Sequence, residues 1–516
     1  MKSSDGPVDI KKSDFLFFSL VILLVAIDLR ICLLSLKPFH SDEGVNAHFM
    51  LQLIREGKYN YDPANYHGPL IYFVTFLLQK LFGLSDFTLR FSPVLFSIGQ
   101  LILIFALRVK LRRPGVLTAL VLMGFSPHVI YFARTFIHET YFVSMSMAVY
   151  IFLFLLFEKR NVRFLIPAAV AVALLITIKE TFIITLACLG AAAPAAWLLA
   201  PKSKLNIKWR LNWRDTLDAS ILAIYGGLAL CVFLLIYLLL YSSFFKNPNG
   251  PWDALVSLFL WKERGSYDHV KNFFYYLDSM QKFELPSLIL AILGIIHALR
   301  KRSFFHLYLA FWTLATFLAY SLIHYKTPWL LLNILLPATL SGSAAVGDIS
   351  LHRITSRTRR ETFALFLFVI AAWSGAQSVE ANFFKYDNDQ LPMVYVQTYR
   401  SYKHLFPIWN IFHDKYGDET KTAVLSPSYW PLPWSLRDHK TVGYYSKLTP
   451  NLEDHPFLIT EDSQRVETRK IYGETHHKLE MPFALYPGFD LYLWIRKDLW
   501  EDTFGDETWQ PYPKSS

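Results

Sequence analysis

Several apolar runs of this 516-residue chain reach the length that a helix needs to cross a bilayer, about 20 residues. In lipid the backbone has no water to bond, so each run must close its hydrogen bonds within itself, as a helix. About eleven runs qualify, near 14–36, 87–108, 115–133, 139–157, 163–178, 181–200, 217–242, 285–299, 304–323, 328–347 and 361–379. A shorter run, 69–82, suits an interfacial or re-entrant helix. The fold class that follows is a polytopic α-helical membrane protein with juxtamembrane helices. Only 18% of the residues are charged, where a soluble domain carries about 25%.

The net charge of +10 raises the question of nucleic acid. Its distribution answers that question. Lys and Arg gather in short loops between apolar runs, which sets membrane orientation and does not build a nucleic-acid face. Lys11 and Lys12 precede the first run. The groups Arg108-Lys110-Arg112-Arg113, Lys159-Arg160-Arg163, Lys202-Lys204-Lys208-Arg210-Arg214, Arg300-Lys301-Arg302 and Arg353-Arg357-Arg359-Arg360 each follow an even-numbered run. One orientation satisfies all of them: a multi-pass protein of the cytoplasmic (inner) membrane, N-terminus and basic loops inside, C-terminal segment extracytoplasmic. Cys32, Cys188 and Cys231 lie within apolar runs and imply neither a disulfide framework nor a metal cluster. The first run lacks a small-residue cleavage site and reads as a retained helix.

Residues 1–380 form the expected membrane domain, and 381–516 a small extracytoplasmic α/β domain. The tail is richer in charge, Pro and Tyr, and it holds three strand-like runs: Thr422–Leu425, Phe457–Thr460 and Leu491–Ile495. The first dozen residues are polar and expected to be disordered.

The ionisable residues at outward-facing span ends come from four separate loops. They are Asp42, Glu43, His67, Arg134, His138, Glu139, Lys179, Glu180, His324 and Lys326. Charge at this depth normally faces a protein interior or a wet cavity and finds partners, which predicts one polar cavity at the outer face. Asp42 and Glu43 have a plain reading as first-turn charges of a helix capped by Ser41, with Val45, Phe49 and Leu53 on its apolar face. Their position among cations favours a second, a general base acting on a hydroxyl or amide. Arg134, Lys179 and Lys326 suit a departing phosphate, or they snorkel from helix ends.

His138-Glu139 offers ligands for a divalent metal such as Mg or Mn, without a diagnostic spacing. Lys179-Glu180 reads equally as a self-neutralising helix end. His67, before Gly68-Pro69, contacts phosphate or holds its own turn. In the loop 243–284, Trp252, Trp261, Tyr267, Phe273, Phe274, Tyr275 and Tyr276 read as a membrane-interface belt. The run Tyr429-Trp430-Pro431-Leu432-Pro433-Trp434 is either a packed aromatic corner or a surface that stacks on sugar. No P-loop, Rossmann glycine fingerprint, zinc spacing or Gly-x-Ser-x-Gly elbow is present, so an activated lipid suits the chemistry better than a bound nucleotide.

Six runs spread over most of the chain resemble a known group. They are Ser41-Asp42-Glu43-Gly44, His67-Gly68-Pro69, Lys179-Glu180-Thr181, Tyr325-Lys326-Thr327-Pro328-Trp329, Val394-Tyr395-Val396-Gln397-Thr398 and Trp430-Pro431-Leu432-Pro433-Trp434. The pattern is similar to the GT-C superfamily of glycosyltransferases, in its dolichyl-phosphate-mannose–protein mannosyltransferase and aminoarabinose-transferase branch. More narrowly, it resembles a prokaryotic family described as flippase-activity-associated and named from an archaeal N-glycosylation neighbourhood. The resemblance implies transfer of a sugar from a polyprenyl-phosphate carrier to an extracytoplasmic acceptor, usually with inversion. It carries the base onto Asp42, and the phosphate cation onto Lys326 and less securely Arg134. Related branches often have Lys-Pro-Pro where this chain has His67-Gly68-Pro69, which weakens any transfer of that Lys role.

The leading expectation is therefore a lipid-phosphate-sugar-dependent glycosyltransferase. Asp42 is its base, with Glu43, Glu139 and Glu180 positioning groups or a metal. Its partners are a polyprenyl-phosphate-linked sugar and a protein, lipid or glycan acceptor. The rival expectations are a lipid-linked-sugar flippase or transporter, for which Asp28 and Arg30 in the first span would pair or mark a path, and a non-catalytic partner of one.

Overall fold

The computed structural model describes residues 10–65, 67–201, 219–264, 269–351, 357–479 and 481–505. Tyr66, Tyr267, Arg353, the basic run Lys202–Arg214 and the first nine residues lie outside the described residues. The chain forms two compact units. One comprises Met1–Leu34 with Met50–Phe384, the other Ser35–Phe49 with Lys385–Ser516. The segment Ser35–Phe49, which the sequence reading places in the membrane domain, thus belongs with the C-terminal residues.

The helices in chain order are α1 (Lys12–Ile31), α2 (Ser41–Glu56), α3 (Leu70–Phe82), α4 (Asp86–Leu103), α5 (Arg108–Phe125), α6 (Pro127–Ala133), α7 (His138–Lys159), α8 (Leu165–Ile176) and α9 (Phe182–Leu199). They continue as α10 (Ala219–Tyr241), α11 (Gly250–Arg264), α12 (Tyr275–Phe283), α13 (Leu285–Lys301), α14 (Phe304–Leu322), α15 (Leu331–Leu351) and α16 (Arg357–Val379). By length and composition, the described residues hold seven helices able to cross a membrane, or eight if α12 and α13, bent by 113°, count as one span. The sequence reading gives about eleven, and the difference has local causes. Val162–Ile176, in place of one expected span, is apolar but short, while Leu70–Phe82 is short as its sequence suggests. The run Asp86–Phe125 contains two of the expected spans, and its backbone leaves the helical region at Arg112 (φ 58°, ψ 173°). Helix α1 carries Asp14, Asp28 and Arg30.

Arg30 shows how this unit carries a buried charge. Its guanidinium donates to Ser97 Oγ (2.8 Å) and to the carbonyls of Ala26, Met123 and Gly124, and so ties α1 to α4 and α5. Those partners, and not Asp28, supply the bonds that a buried charge needs.

Two helices mark the extremes of the unit. Helix α15 is almost wholly enclosed by protein. Its small residues Ser341, Gly342, Ser343, Ala344 and Gly347 let α5 and α13 approach closely. Helix α10 is apolar on every side yet only 6% of its spanning window is buried. A helix greasy all round and uncovered by protein has its outer solvent in lipid.

The second unit is built on a six-stranded sheet: β1 (Thr422–Val424), β2 (Val442–Tyr444), β3 (Phe457–Glu461), β4 (His476–Lys478), β5 (Phe483–Tyr486) and β6 (Phe489–Arg496). The order is β2-β1-β3-β6-β4. β1 pairs in parallel with β2 and β3, and β6 runs antiparallel to β3, β4 and β5. The two-residue period of a strand sorts the core. Phe457 and Ile459 of β3 join one cluster with Trp409 and Phe412 of α17 (Leu405–Tyr416). Leu458 joins the other, with Ala423, Trp494 and Tyr472. The three strand-like runs of the sequence are β1, β3 and β6, which are buried on both faces. β2 and β4 escape sequence reading because three residues containing Gly or Lys carry no strand pattern.

Candidate functional site

The charged residues that the sequence reading assigns to one cavity fall into two groups, one in each unit. In the second unit lies the acidic motif at the start of α2. His40 precedes this helix and caps it. Its Nδ1 accepts from the Asp42 N–H (3.0 Å), while Glu43 Oε2 accepts from the His40 N–H (2.9 Å). This is a capping box with histidine in place of Ser or Thr, and it corrects the expected Ser41 cap. The accepting Nδ1 leaves Nε2 as the donor, and it bonds the Tyr395 carbonyl (2.7 Å). Glu43, expected beside Asp42 in catalysis, is fully buried and fixed by the cap.

Asp42 is placed differently. Among the described residues no hydrogen bond or ion pair reaches its carboxylate. It lies close enough to Tyr395 to press on the phenol, which burial first and this carboxylate second hold above the usual tyrosine range.

The surroundings of Asp42 come from the C-terminal motifs. A Cβ on Gly44 would sit 2.7 Å from Pro431 Cβ, so only glycine admits this contact. Trp434 stacks on Phe39 at 5.3 Å, and Arg437 lies over Trp434 at 4.1 Å. Gln397 donates to the Pro38 carbonyl (2.9 Å). Three of the six motif runs therefore converge here, and the aromatic corner is a packed corner.

The first unit holds the second group. The turn at His67-Gly68-Pro69 is bound to the loop after α8 by two backbone bonds, Gly68 N–H to the Ile178 carbonyl (2.9 Å) and Leu70 N–H to that of Thr177 (3.0 Å). A Cβ at Gly68 would lie 2.2 Å from the Thr177 oxygen, which explains the glycine. This docking sets His67 Nδ1 3.0 Å from Glu180 Oε2. Lys179 donates to Glu139 Oε2 (2.8 Å), and Asn333 to the other oxygen of Glu139. Glu139 also stands in the first turn of α7, where the helix dipole favours a carboxylate. The ring of His138 lies 4.4 Å from that of His67.

Glu139, Lys179, Glu180 and Asn333 are all buried. Burial alone would push the Lys179 ammonium down, but Glu139 and Glu180 outweigh it and hold it above the lysine range. Burial would push Glu180 up, but His67 and Lys179 outweigh it and hold it below the carboxylate range. The cluster is an ionised, self-compensated lattice. Each carboxylate already has its partner, and among the described residues no three metal-donor atoms converge there. That donor set does not fit the expected Mg or Mn ion.

The remaining cations separate. Arg134, expected at a phosphate, donates to the carbonyls of Leu29, Arg30, Cys32 and Leu33 and lies over Phe383 at 4.6 Å. It closes the C-terminal end of α1, so its fork is already occupied. Lys326 is buried, and its ammonium donates to the carbonyls of Ile323 and Lys271. No carboxylate among the described residues neutralises it. A bridge between Val270 and Tyr325 and a bond from Lys326 N–H to the His269 carbonyl hold this loop. His324 is exposed and contributes its carbonyl to Lys271 N–H.

Next to this machinery stand buried polar atoms without partners among the described residues: the hydroxyls of Thr140, Thr181, Thr327 and Tyr320, and His138 Nε2. Each costs about 1–3 kcal/mol if left dry, so the site calls for water or a polar ligand. Asn333, missed in the sequence, has a visible signal, an amide inside the apolar run 328–347.

Residues 66–225 match the family described as dolichyl-phosphate-mannose-protein mannosyltransferase. Among solved structures the chain is similar to ArnT from Cupriavidus metallidurans bound to undecaprenyl phosphate, with TM-score 0.58, 14% identity, and coverage of 94% of this chain and 98% of that one. The apo ArnT structure gives TM-score 0.57 and 16% identity over the same shares. The chain thus shares the fold of ArnT, and a part of it carries the mannosyltransferase family pattern. The arabinofuranosyltransferase AftD from Mycobacteria is also similar in fold, with TM-score 0.50, 15% identity, and coverage of 95% of this chain and 40% of that one. No curated protein matches the sequence. The segment matched by the family model contains His138, Glu139, Lys179 and Glu180.

Proposed function

We propose that this protein transfers a sugar from a polyprenyl-phosphate carrier to a nucleophilic acceptor at the extracytoplasmic face of the cytoplasmic membrane, with Asp42 as general base. The observation that carries the reading is the division of labour in the acidic pair. His40 and Glu43 complete the cap, so Asp42 is not needed for it, and its carboxylate has no partner among the described residues. A carboxylate with free lone pairs can accept a proton, and one locked in a cap cannot without breaking it.

The acceptor oxygen or nitrogen attacks the anomeric carbon and gives its proton to an Asp42 oxygen. The bond from that carbon to the phosphate oxygen breaks, and polyprenyl phosphate leaves with the electron pair. Attack opposite the leaving group inverts the anomeric centre. Lys326, whose charge no carboxylate among the described residues offsets, stabilises the departing phosphate. Lys179 is neutralised by Glu139 and instead holds the buried scaffold that carries His67 and His138. The hydroxyls of Thr140, Thr181, Thr327 and Tyr320, unpartnered among the described residues, supply bonds for a hydroxyl-rich ligand. Support for a polyprenyl carrier comes from the undecaprenyl phosphate bound by ArnT.

The test is transfer by the purified chain from radiolabelled polyprenyl-phosphate sugars. Wild type transfers label from at least one carrier, and D42N loses transfer with an unchanged thermal unfolding curve. Undiminished transfer by D42N would remove the base role. Failure of the wild type with every carrier would remove the reading itself.

A further inference from the structure

A second polar centre lies at the far end of the same helices. Asp348 stands near the C-terminal end of α15, 15 residues beyond Asn333, or about 22 Å at 1.5 Å per residue. It is buried among groups from three other helices. His297 Nε2 of α13 lies 3.0 Å from its Oδ2, and His306 Nε2 of α14 lies 2.9 Å from the same oxygen. Lys301 Nζ of α13 also meets Oδ2, and Arg112 of α5 approaches Oδ1 at 3.9 Å. The donor atoms of His297, His306 and Asp348 all lie within 4.8 Å of one another.

The contact of His306 is unsatisfied. This residue is 94% buried, and its Nε2 lies 2.9 Å from Asp348 without a well-aligned hydrogen bond among the described residues. Its other ring nitrogen, Nδ1, pairs with Ser303 Oγ at 3.2 Å. If Nδ1 carries the proton in that bond, Nε2 turns a lone pair toward a carboxylate oxygen, and the two repel unless a cation lies between them. A metal-bound histidine commonly has this arrangement, one nitrogen on the ion and the other donating to an outer partner that fixes the ring.

We infer that His297 Nε2, His306 Nε2 and the Asp348 carboxylate bind one divalent ion of the zinc class, with water as the fourth ligand. Two imidazoles and a carboxylate suit Zn²⁺, whereas Mg²⁺ prefers an all-oxygen shell. Lys301 is the resident competitor. Its half-exposed side chain can swing to water when the ion enters. The bound ion joins α13, α14 and α15 at the end remote from Lys179, and its role is to staple them. This inference does not depend on the proposed sugar transfer.

The experiment uses the full chain, purified without a polyhistidine tag, stripped with chelator and titrated with Co²⁺ and then Zn²⁺. One ion per chain is expected, with the strong visible absorption of four-coordinate Co²⁺, bleached as Zn²⁺ displaces it. H306A and D348N lose affinity by about 100-fold or more, above the 10–100-fold that removal of an outer-shell partner costs. K301Q binds more tightly than wild type, because it removes the competing charge. Failure of the wild type to bind stoichiometrically overturns the inference whether or not the variants fold. So does Co²⁺ absorption that survives both H306A and D348N. Weaker binding by K301Q would overturn the competitor role given to Lys301.

Discussion

Asp42 and Glu139 are both acidic residues at the start of a helix, yet the structure treats them oppositely. Glu139 is buried, and both its oxygens are engaged, one by Lys179 and one by Asn333. Asp42 is half-exposed, and no partner among the described residues engages its carboxylate. A carboxylate whose lone pairs are spent contributes rigidity. One whose lone pairs are open contributes chemistry. Removal of Asp42 should therefore cost activity without stability, and removal of Glu139 should cost stability first.

The largest expected effect is on D42N. Transfer falls by about 10²–10⁴-fold, the usual share of a general base, and the unfolding midpoint stays within error. A lowered midpoint in D42N would erase the contrast. E139A takes from the buried Lys179 ammonium its hydrogen-bonded partner and leaves only Glu180 to offset it, and so loses about 3–5 kcal/mol of stability, read from denaturant or thermal unfolding in detergent. The double variant E139Q/K179M should recover part of that loss, since it buries no lone charge. No recovery would mean that the pair is not coupled.

K326M removes the uncompensated cation and lowers turnover by about 10²–10³-fold, the cost of losing one preorganised charge donor, and K326R recovers part of it. The pH profile sharpens this assignment. Burial pushes the Lys326 ammonium below the lysine range. The charged form acts on the phosphate, so activity is held below the folded-state pKa and lost as pH rises through it. The wild-type alkaline limb should therefore begin below about 10.4, the ordinary lysine value, and K326R should lack it. An alkaline limb identical in K326R assigns the titration to another group. The smallest effect is on E43Q, which weakens the cap of α2 by about 0.5–2 kcal/mol and slows transfer only as far as the helix start shifts. A loss in E43Q equal to that of D42N would show that the two carboxylates act together.

Much of this site was present in the sequence as residues and absent as relationships. The acidic pair, the His67-Gly68-Pro69 turn and the Lys326 loop all stand out as polar groups between apolar runs. Nothing local tells Asp42 from its neighbour Glu43. The distinction arises because Glu43 folds back on His40, whose ring in turn reaches Tyr395, 355 residues away. Arg134 looks like a phosphate cation until its donors are seen on the last carbonyls of α1. Gly68 and Gly44 are unremarkable letters until Thr177 and Pro431 are found against them.

The sequence by itself determined the class of the molecule. Runs of apolar residues long enough for a bilayer must be helices, and the tail runs β1, β3 and β6 must be strands, because backbone hydrogen bonding and side-chain period are local properties. Only the tertiary structure decided which charges are spent and which are free. A charge's state depends on its partners, and these come from distant parts of the chain: Lys179 lies 40 residues from Glu139, and Asn333 lies 194. The buried lattice in one unit and the open carboxylate in the other are consequences of that pairing, which no window of sequence contains.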